Sequence, residues 1–312
     1  PMVAASAHRE RLEIVISNNA SPDNTEEVIR EAMPELARHC RVRVYTLHEN
    51  IGGEPNFRFL YEHARGTYVW SFSDRDILHP EEFDPVVDDL DRYQPSTCIS
   101  SFKDVDGTLS RIDLPGGAEV ALVTDPVQLA PAVHRYGKLS QYVHRRYELT
   151  PDEQAISEEA SRGRVWFSVV AMMFLLRRGD PVLLRARIIG HGGAGGLDLM
   201  FSARVYAQVT GYIMAGVGDH PRRAEIERAL PMKNEWHPVV GHLFRNALGV
   251  SRMRLEDAHS DYVYMKQNLR KAAFASWRNM VKVPVILLLF PGVYRRRLAR
   301  ESGTGVPPSR ER

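Results

Sequence analysis

Gly66-Thr67-Tyr68-Val69-Trp70-Ser71-Phe72-Ser73-Asp74-Arg75-Asp76 is a glycine stop, a β-rich run and two carboxylates one residue apart. Tyr68, Val69, Trp70 and Phe72 are aromatic or β-branched types that suit a packed, pleated surface, so the run predicts a buried strand. Asp74 and Asp76 fall where the run stops, and the carboxyl ends of strands are where open α/β sheets bind ligands. Two hard oxygen donors there can hold Mg²⁺ or Mn²⁺ while a diphosphate supplies further ligands. Taken alone, Asp74-Arg75-Asp76 reads more readily as a solvated turn before the helix that Pro80-Glu81-Glu82 opens. The neighbouring segments weigh against that plainer reading.

Upstream, Leu12-Glu13-Ile14-Val15-Ile16 is the first convincing β run. The polar loop Ser17 to Thr25 then has the character of a βα turn, with Asp23, Asn24 or Thr25 as N-cap of a helix near Glu26 to Ala32. Arg41 to Leu47 alternates as a second strand, and Pro55 opens a helix whose apolar face is Phe57, Leu60, Tyr61 and Ala64. Downstream come a helix near Pro80 to Tyr93 and a strand over Thr97 to Phe102. Strands alternating with helices predict an α/β fold with a mostly parallel sheet.

The bulk numbers bound the rest. The 312 residues are 44% hydrophobic and 26% charged, which suits a folded protein with a substantial core. A formal charge of +2 is too mild to argue for nucleic acid, although basic residues cluster toward the C-terminus. Cys40 and Cys98 are too few for a disulfide framework and point to a reducing cytosol. No apolar stretch reaches the roughly 20 residues a bilayer span needs.

Beyond Asp104 the alternation loosens, which predicts a domain shift near residues 104–125. Pro126 to Tyr142 reads as mostly helical, Val165 to Leu176 as a buried helix and Val182 to Ile189 as a strand. His191-Gly192-Gly193-Ala194-Gly195-Gly196 lacks the Gly-Lys-Ser/Thr ending of a phosphate loop and reads as a flexible loop, with His191 as an additional metal or phosphate ligand candidate. Leu255 to Val281 carries Tyr262, Met265, Leu269, Ala272 or Ala273, and Ser276 or Trp277 at helical spacing, which predicts a packing face. The apolar patch Val283 to Pro291 runs into Tyr294-Arg295-Arg296-Arg297-Leu298-Ala299-Arg300. That pairing reads either as docking at an anionic membrane surface or as a core segment capped by arginines. Residues 301–312 read as a disordered tail.

Three ordered motifs carry a family resemblance: Ile14 to Thr25, Asn50-Ile51-Gly52-Gly53-Glu54-Pro55-Asn56, and Gly66 to Asp76. Together they resemble glycosyltransferase family 2, inverting enzymes with the GT-A fold, and within it the abequosyltransferase-like branch. The resemblance implies a Rossmann-like, mostly parallel sheet with helices on both faces and a largely helical C-terminal part. The chain is expected to divide into a nucleotide-sugar-binding half (1–104), an acceptor-binding half (105–235) and a helical C-terminal region (236–300) that carries the candidate membrane-surface contact through 283–300. Asn18 stands where the family usually has an aspartate touching the nucleobase; its amide can still pair with a base edge. Asn19, Ser21, Asn50, Asn56, Ser73, Asp74 and Arg75 fall on the nucleotide-sugar side, and Asp74 and Asp76 on the Mg²⁺ or Mn²⁺ site. Tyr136 to Tyr142 is similar to the family's acceptor-side segment.

The implied activity is transfer of a sugar from a nucleotide-diphosphate donor to a hydroxyl of a cell-surface polysaccharide or lipid-linked glycan, at the inner face of the cytoplasmic membrane. Asp152 and Glu153, or Glu158 and Glu159, are the nearest acidic pairs after the acceptor-side segment and the candidates for the base that deprotonates the attacking hydroxyl, with Glu153 preferred. The family begins with a strand and a helix that residues 1–11 cannot contain, so the chain is expected to lack that first βα unit. Two rival readings remain: a non-catalytic GT-A-like protein that binds sugar or a partner enzyme, and a sugar nucleotidyltransferase.

Overall fold

The computed structural model describes residues 2–74, 76–103, 109–135, 139–146, 148–162, 174, 177–192, 213–230, 236–248, 255–274 and 276–301. The chain forms two compact units, residues 1–195 with 213–229, and residues 196–212 with 230–312.

The first unit opens with a short helix, α1 (Met2–Ala5), and a 3₁₀ turn at Arg9–Arg11. A βαβ unit follows: β1 (Glu13–Asn18), α2 (Thr25–Leu36) and β2 (Arg41–Thr46), the strands pairing in parallel with Ile14 opposite Val42. Helix α3 (Gly53–His63) leads to β3 (Tyr68–Trp70), β4 (Asp76–Leu78), α4 (Pro80–Tyr93), β5 (Thr97–Lys103), β6 (Leu109–Ser110) and β7 (Val120–Val123). Helix α5 (Pro126–Arg135), β8 (Tyr142–Arg145), α6 (Pro151–Arg162), β9 (Val182–Gly192) and α7 (Arg223–Ala229) complete it.

Seven of these strands form one mixed sheet in the order β3-β8-β5-β9-β4, with β6 on β5 and β7 on β9. Its centre, β5 against β9, is parallel, and the remaining pairs are antiparallel. The α/β class and the helical C-terminal part are as the sequence predicts. The expected domain shift at 104–125 is not a unit boundary: β5, β8 and β9, from both sides of it, share one sheet.

Helix α4 shows how sequence sets the frame. Pro80 occupies its first turn with Glu81 and Glu82, and Gln94 caps its end in the left-handed conformation (φ 50°), its N–H donating to the Leu90 carbonyl. Phe83, Val86 and Leu90 recur on one buried face. Val86 and Leu90 pack with Cys98, Phe102, Val143, Leu183 and Ile189 from three strands, with Tyr68 and Trp70 against them. Burying each such side chain contributes about 1.5–3 kcal/mol. The same helix turns acids toward β9: buried Arg185 donates to Asp89 at 2.7 Å, and Glu82 pairs with Arg187 at 2.5 Å.

The second unit contains α8 (Trp236–Ala247), α9 (Leu255–Gln267), α10 (Leu269–Phe274) and α11 (Trp277–Glu301) around a core that includes Val239, Leu243, Met265, Val283, Ile286 and Phe290. The single stretch read over Leu255 to Val281 is therefore three helices. Its expected packing face holds at Met265 and Ala272, both fully buried, and fails at Trp277, which is 71% exposed. Residues 302–312 and most of the Val165 to Leu176 segment lie outside the described residues.

Candidate functional site

Two loops follow the carboxyl ends of the parallel strands β1 and β2, and their polar residues are bonded to each other. Asn18, only 4% exposed, turns the first loop by accepting the Ser21 N–H at 3.0 Å. Asn19 reaches the second loop: its amide donates to Asn50 Oδ1 and to the Gly52 carbonyl, both at 3.2 Å, and accepts the Ile51 N–H at 3.0 Å. Asn50 accepts the Gly52 N–H at 2.9 Å, and Gly52 takes φ +91° ahead of α3, a conformation that favours glycine. Ser17 then donates to Asn56 of α3 at 2.6 Å. Thus Asn18 with Ser21, Asn19 with Asn50, and Asn56 with the end of β1 are brought together as one polar rim.

The base of this region is held by Glu13. It accepts from Arg43 at 2.6 Å and from the Arg65 N–H at 2.7 Å. Burial alone would raise the Glu13 carboxyl, but these bonds outweigh it and hold the group below its ordinary value. At the rim, hydroxyl and backbone donors of Thr25 hold Asp23 below the usual carboxylate range.

The acidic stretch differs from its sequence reading. The strand ends at Trp70, Asp74 lies in an exposed turn, and Asp76 opens a second short strand. The reason is non-local: β4 pairs antiparallel with β9, placing Asp76 opposite Gly192 and Ile77 opposite His191. The glycine-rich stretch expected as a loop from His191 thus begins as the end of β9; residues 193–196 lie outside the described residues, as does Arg75. A Cβ at Gly190 would sit 2.4 Å from the Ile77 carbonyl oxygen, so only glycine lets β4 lie this close.

Asp76 is oriented by a residue far along the chain. Buried Ser140 donates to Asp76 Oδ2 at 2.5 Å, and the Ser140 carbonyl accepts the Trp70 indole N–H at 2.9 Å. Ser73 donates to Asp74 at 3.2 Å. His191 Nδ1 lies 3.1 Å from His79 Nε2. Two carboxylates are hard donors of the kind Mg²⁺ and Mn²⁺ accept. Among the described residues, no group of three or more His, Cys, Asp or Glu forms a metal site by itself.

Sequence reasoning missed Ser140, His79 and Gly190. Ser140 does lie in the segment read as acceptor-side, of which 136–138 fall outside the described residues. Glu153 needs correction. It is 3% exposed, accepts the Thr150 N–H at 3.0 Å and receives Arg178 at 2.5 Å. Its own N–H donates to Thr150 Oγ1 at 3.4 Å. This reciprocal capping box at the start of α6, with the Arg178 pair, gives the buried carboxylate a structural role. Asp152 beside it is exposed.

A mixed α/β sheet with bonded loops at strand ends and an acidic turn defines an α/β protein with polar loops at the strand ends. Residues 3–132 match the family model described as "Glycosyl transferase family 2". The whole chain is similar in fold to S. aureus TarS 1–349: TM-score 0.55 at 11% identity, covering 97% of this chain and 86% of that one. The complexes of TarS 1–349 with UDP-GlcNAc (0.55, 11%, 96% and 81%) and with UDP (0.55, 12%, 97% and 86%) are similar to the same degree. A comparison with curated proteins gives no match. These likenesses agree with the expected fold class.

Proposed function

We propose that this protein is a glycosyltransferase that moves a sugar from a nucleotide-diphosphate donor to a hydroxyl of a cell-surface polysaccharide or lipid-linked glycan, with inversion. The carrying observation is the pair Asp74, exposed in a turn, and Asp76, at the start of β4 and oriented by Ser140, within the segment that matches the family model. In this reading the bonded loops at 18–25 and 50–56 receive the nucleotide, and Asn19 and Asn50 keep them in register. Asp74 and Asp76 hold Mg²⁺ or Mn²⁺, with His191 as a further ligand candidate; when bound, the metal offsets charge developing on the diphosphate leaving group. Asp152, the exposed member of its acidic pair, is the candidate for taking the acceptor proton. The TarS complexes make UDP the first nucleotide to try.

The motifs at 14–25, 50–56 and 66–76 support the abequosyltransferase-like branch. Among the described residues β1 pairs only with β2, and β3 only with β8.

The test is thermal unfolding of the protein with UDP, GDP, CDP and TDP, each with and without Mn²⁺. A ligand that binds only the folded state raises its melting temperature by mass action. The expected result is a metal-dependent rise with one nucleotide, lost in Asp74→Ala, followed by transfer from the matching sugar nucleotide. Metal-independent binding of free sugar would favour the non-catalytic reading, and release of pyrophosphate a nucleotidyltransferase.

A further inference from the structure

The second unit has a helix that is apolar on two opposite sides. On one side of α11, Val283, Ile286 and Phe290 are buried against α8, α9 and α10. On the other, Trp277, Val281, Pro284 and Leu288 follow at steps of four, three and four, which draws one stripe along a helix. That stripe faces outward: Trp277 is 71% exposed, Val281 63% and Leu288 80%. Phe274, at the end of α10, adds another ring at 71%, and Met280 lies beside it at 52%. An apolar groove of about 260 Å³, lined by Leu269, Phe274, Met280, Pro284 and Leu287 among others, runs into the same surface. Isolated exposed apolar residues are ordinary, but a contiguous set with two aromatic rings marks a binding surface.

Charge identifies what covers it. From residue 262 to residue 300 there is no aspartate or glutamate, and there are nine lysines and arginines. Arg278 and Lys282 flank the stripe, and Arg295 continues it, lying five helical turns beyond Trp277 on the same side. A partner protein of mixed charge would leave this one-sign field unmatched, whereas an anionic bilayer matches it over its whole length. Aromatic rings, with aliphatic neighbours below and cations beside them, are the pattern of helices that lie in the headgroup region. No described helix is long and apolar enough to cross a membrane. We propose that the face of α11 formed by Trp277, Val281, Pro284 and Leu288, together with Phe274, docks on an anionic lipid surface. The contact differs from the one the sequence suggests: three of the nine residues Val283 to Pro291 are core, and the proposed lipid-facing residues begin earlier, at Phe274.

The test is co-sedimentation of the full chain with vesicles of phosphatidylcholine alone and of phosphatidylcholine mixed equally with phosphatidylglycerol. Binding is expected only to the anionic vesicles, weakened by high salt, with a blue shift of tryptophan fluorescence. Phe274→Ser with Trp277→Ser should weaken it by about tenfold or more, since each lost ring removes buried apolar area. Arg278→Gln with Lys282→Gln should weaken it several-fold and reduce the salt dependence. Phe274, Trp277 and Arg278 are exposed, so melting temperatures of the aromatic pair should stay near that of the unmodified protein; Lys282 is half-buried over the Phe244 ring, so Arg278→Gln alone is the charge control should the double variant lose stability. Equal binding to both vesicle types, or binding untouched by the aromatic pair, overturns the proposal. So does self-association that the aromatic pair abolishes in the absence of vesicle binding, since the face would then belong to a second copy. Nucleotide-induced changes in melting temperature do not depend on this face, so either proposal can fail alone.

Discussion

The Ser140 hydroxyl donates to Asp76 Oδ2 at 2.5 Å across 64 residues of chain, and the Ser140 carbonyl in turn holds the Trp70 indole. A short donor to a carboxylate is a charge-assisted bond that fixes which oxygen faces outward. If Asp76 is a metal ligand, Ser140 positions it. Groups that orient metal ligands typically alter affinity by about 10–100-fold when removed. Ser140→Ala is therefore expected to weaken Mn²⁺-dependent nucleotide binding at least tenfold in calorimetry, while Asp76→Asn abolishes the metal response. An unchanged Mn²⁺ titration in Ser140→Ala would remove the positioning role.

Gly190 sets how closely β4, the strand that Asp76 opens, lies on β9. An added Cβ meets the Ile77 carbonyl oxygen at 2.4 Å, and backbone cannot yield as a flexible side chain can. Gly190→Ala should push β4 off β9 and cost about 1–3 kcal/mol, the range for forced overpacking. Gly241→Ala, inside α8 with nothing within 4 Å of the added atom, should stabilise by about 0.5–1 kcal/mol through helix propensity. Urea unfolding of both variants checks the contrast, and similar values for the two would contradict it.

Glu153 should behave as a structural carboxylate. Glu153→Ala removes the capping contacts with Thr150 and leaves Arg178, whose side chain is 31% exposed, without this partner. The expected loss is about 2 kcal/mol, above that of a simple cap because the carboxylate is buried and below that of a fully buried ion pair. Asp152→Asn, at an exposed position, should stay within about 0.5 kcal/mol. In a transfer assay, the pH dependence of kcat should survive Glu153→Gln. Its disappearance without a stability change would restore Glu153 as the base.

The pattern of these residues explains what can be read from sequence. Strands β1, β2 and β5 and helix α4 are legible because their periodicity and caps are local: Pro80 at the start of α4, Phe83, Val86 and Leu90 along it. The acidic stretch is half legible. Asp74 and Asp76 stand out by type, but the break between β3 and β4 depends on pairing with His191 and Gly192, more than a hundred residues away. Asn19 and Asn50 read separately as polar loop residues; that each is the other's partner is a fact of folding. Glu153 reads as a candidate base although the signal for a structural role is also present, since Thr150-x-x-Glu153 with Pro151 between is a capping-box sequence. The Val283 to Pro291 run reads either as core or as a surface contact; Val283, Ile286 and Phe290 are core, and hydrophobicity alone does not say which stripe of a doubly apolar helix meets it.

His144 makes the fold sensitive to mild acid. The ring is buried in β8; its Nδ1 lies 2.9 Å from Thr97 Oγ1, and Nε2 has no hydrogen-bond partner. Burial disfavours the charged form and lowers the pKa to about 4 from an ordinary 6.5. Between those values the unfolded chain binds a proton that the folded chain does not, so stability falls as pH falls through that window. The loss should approach about 3 kcal/mol by pH ~4, at roughly 1.4 kcal/mol for each pH unit crossed between the two values. The carboxylates held low by their partners, Glu13, Asp84 and Asp91, lose their contribution at more acid pH, as they protonate. Urea unfolding across pH 4–7 should therefore show a slope in the unmodified protein that His144→Gln lacks, whatever the variant's own stability at pH 7. Parallel curves for the two proteins would assign the acid sensitivity to other groups.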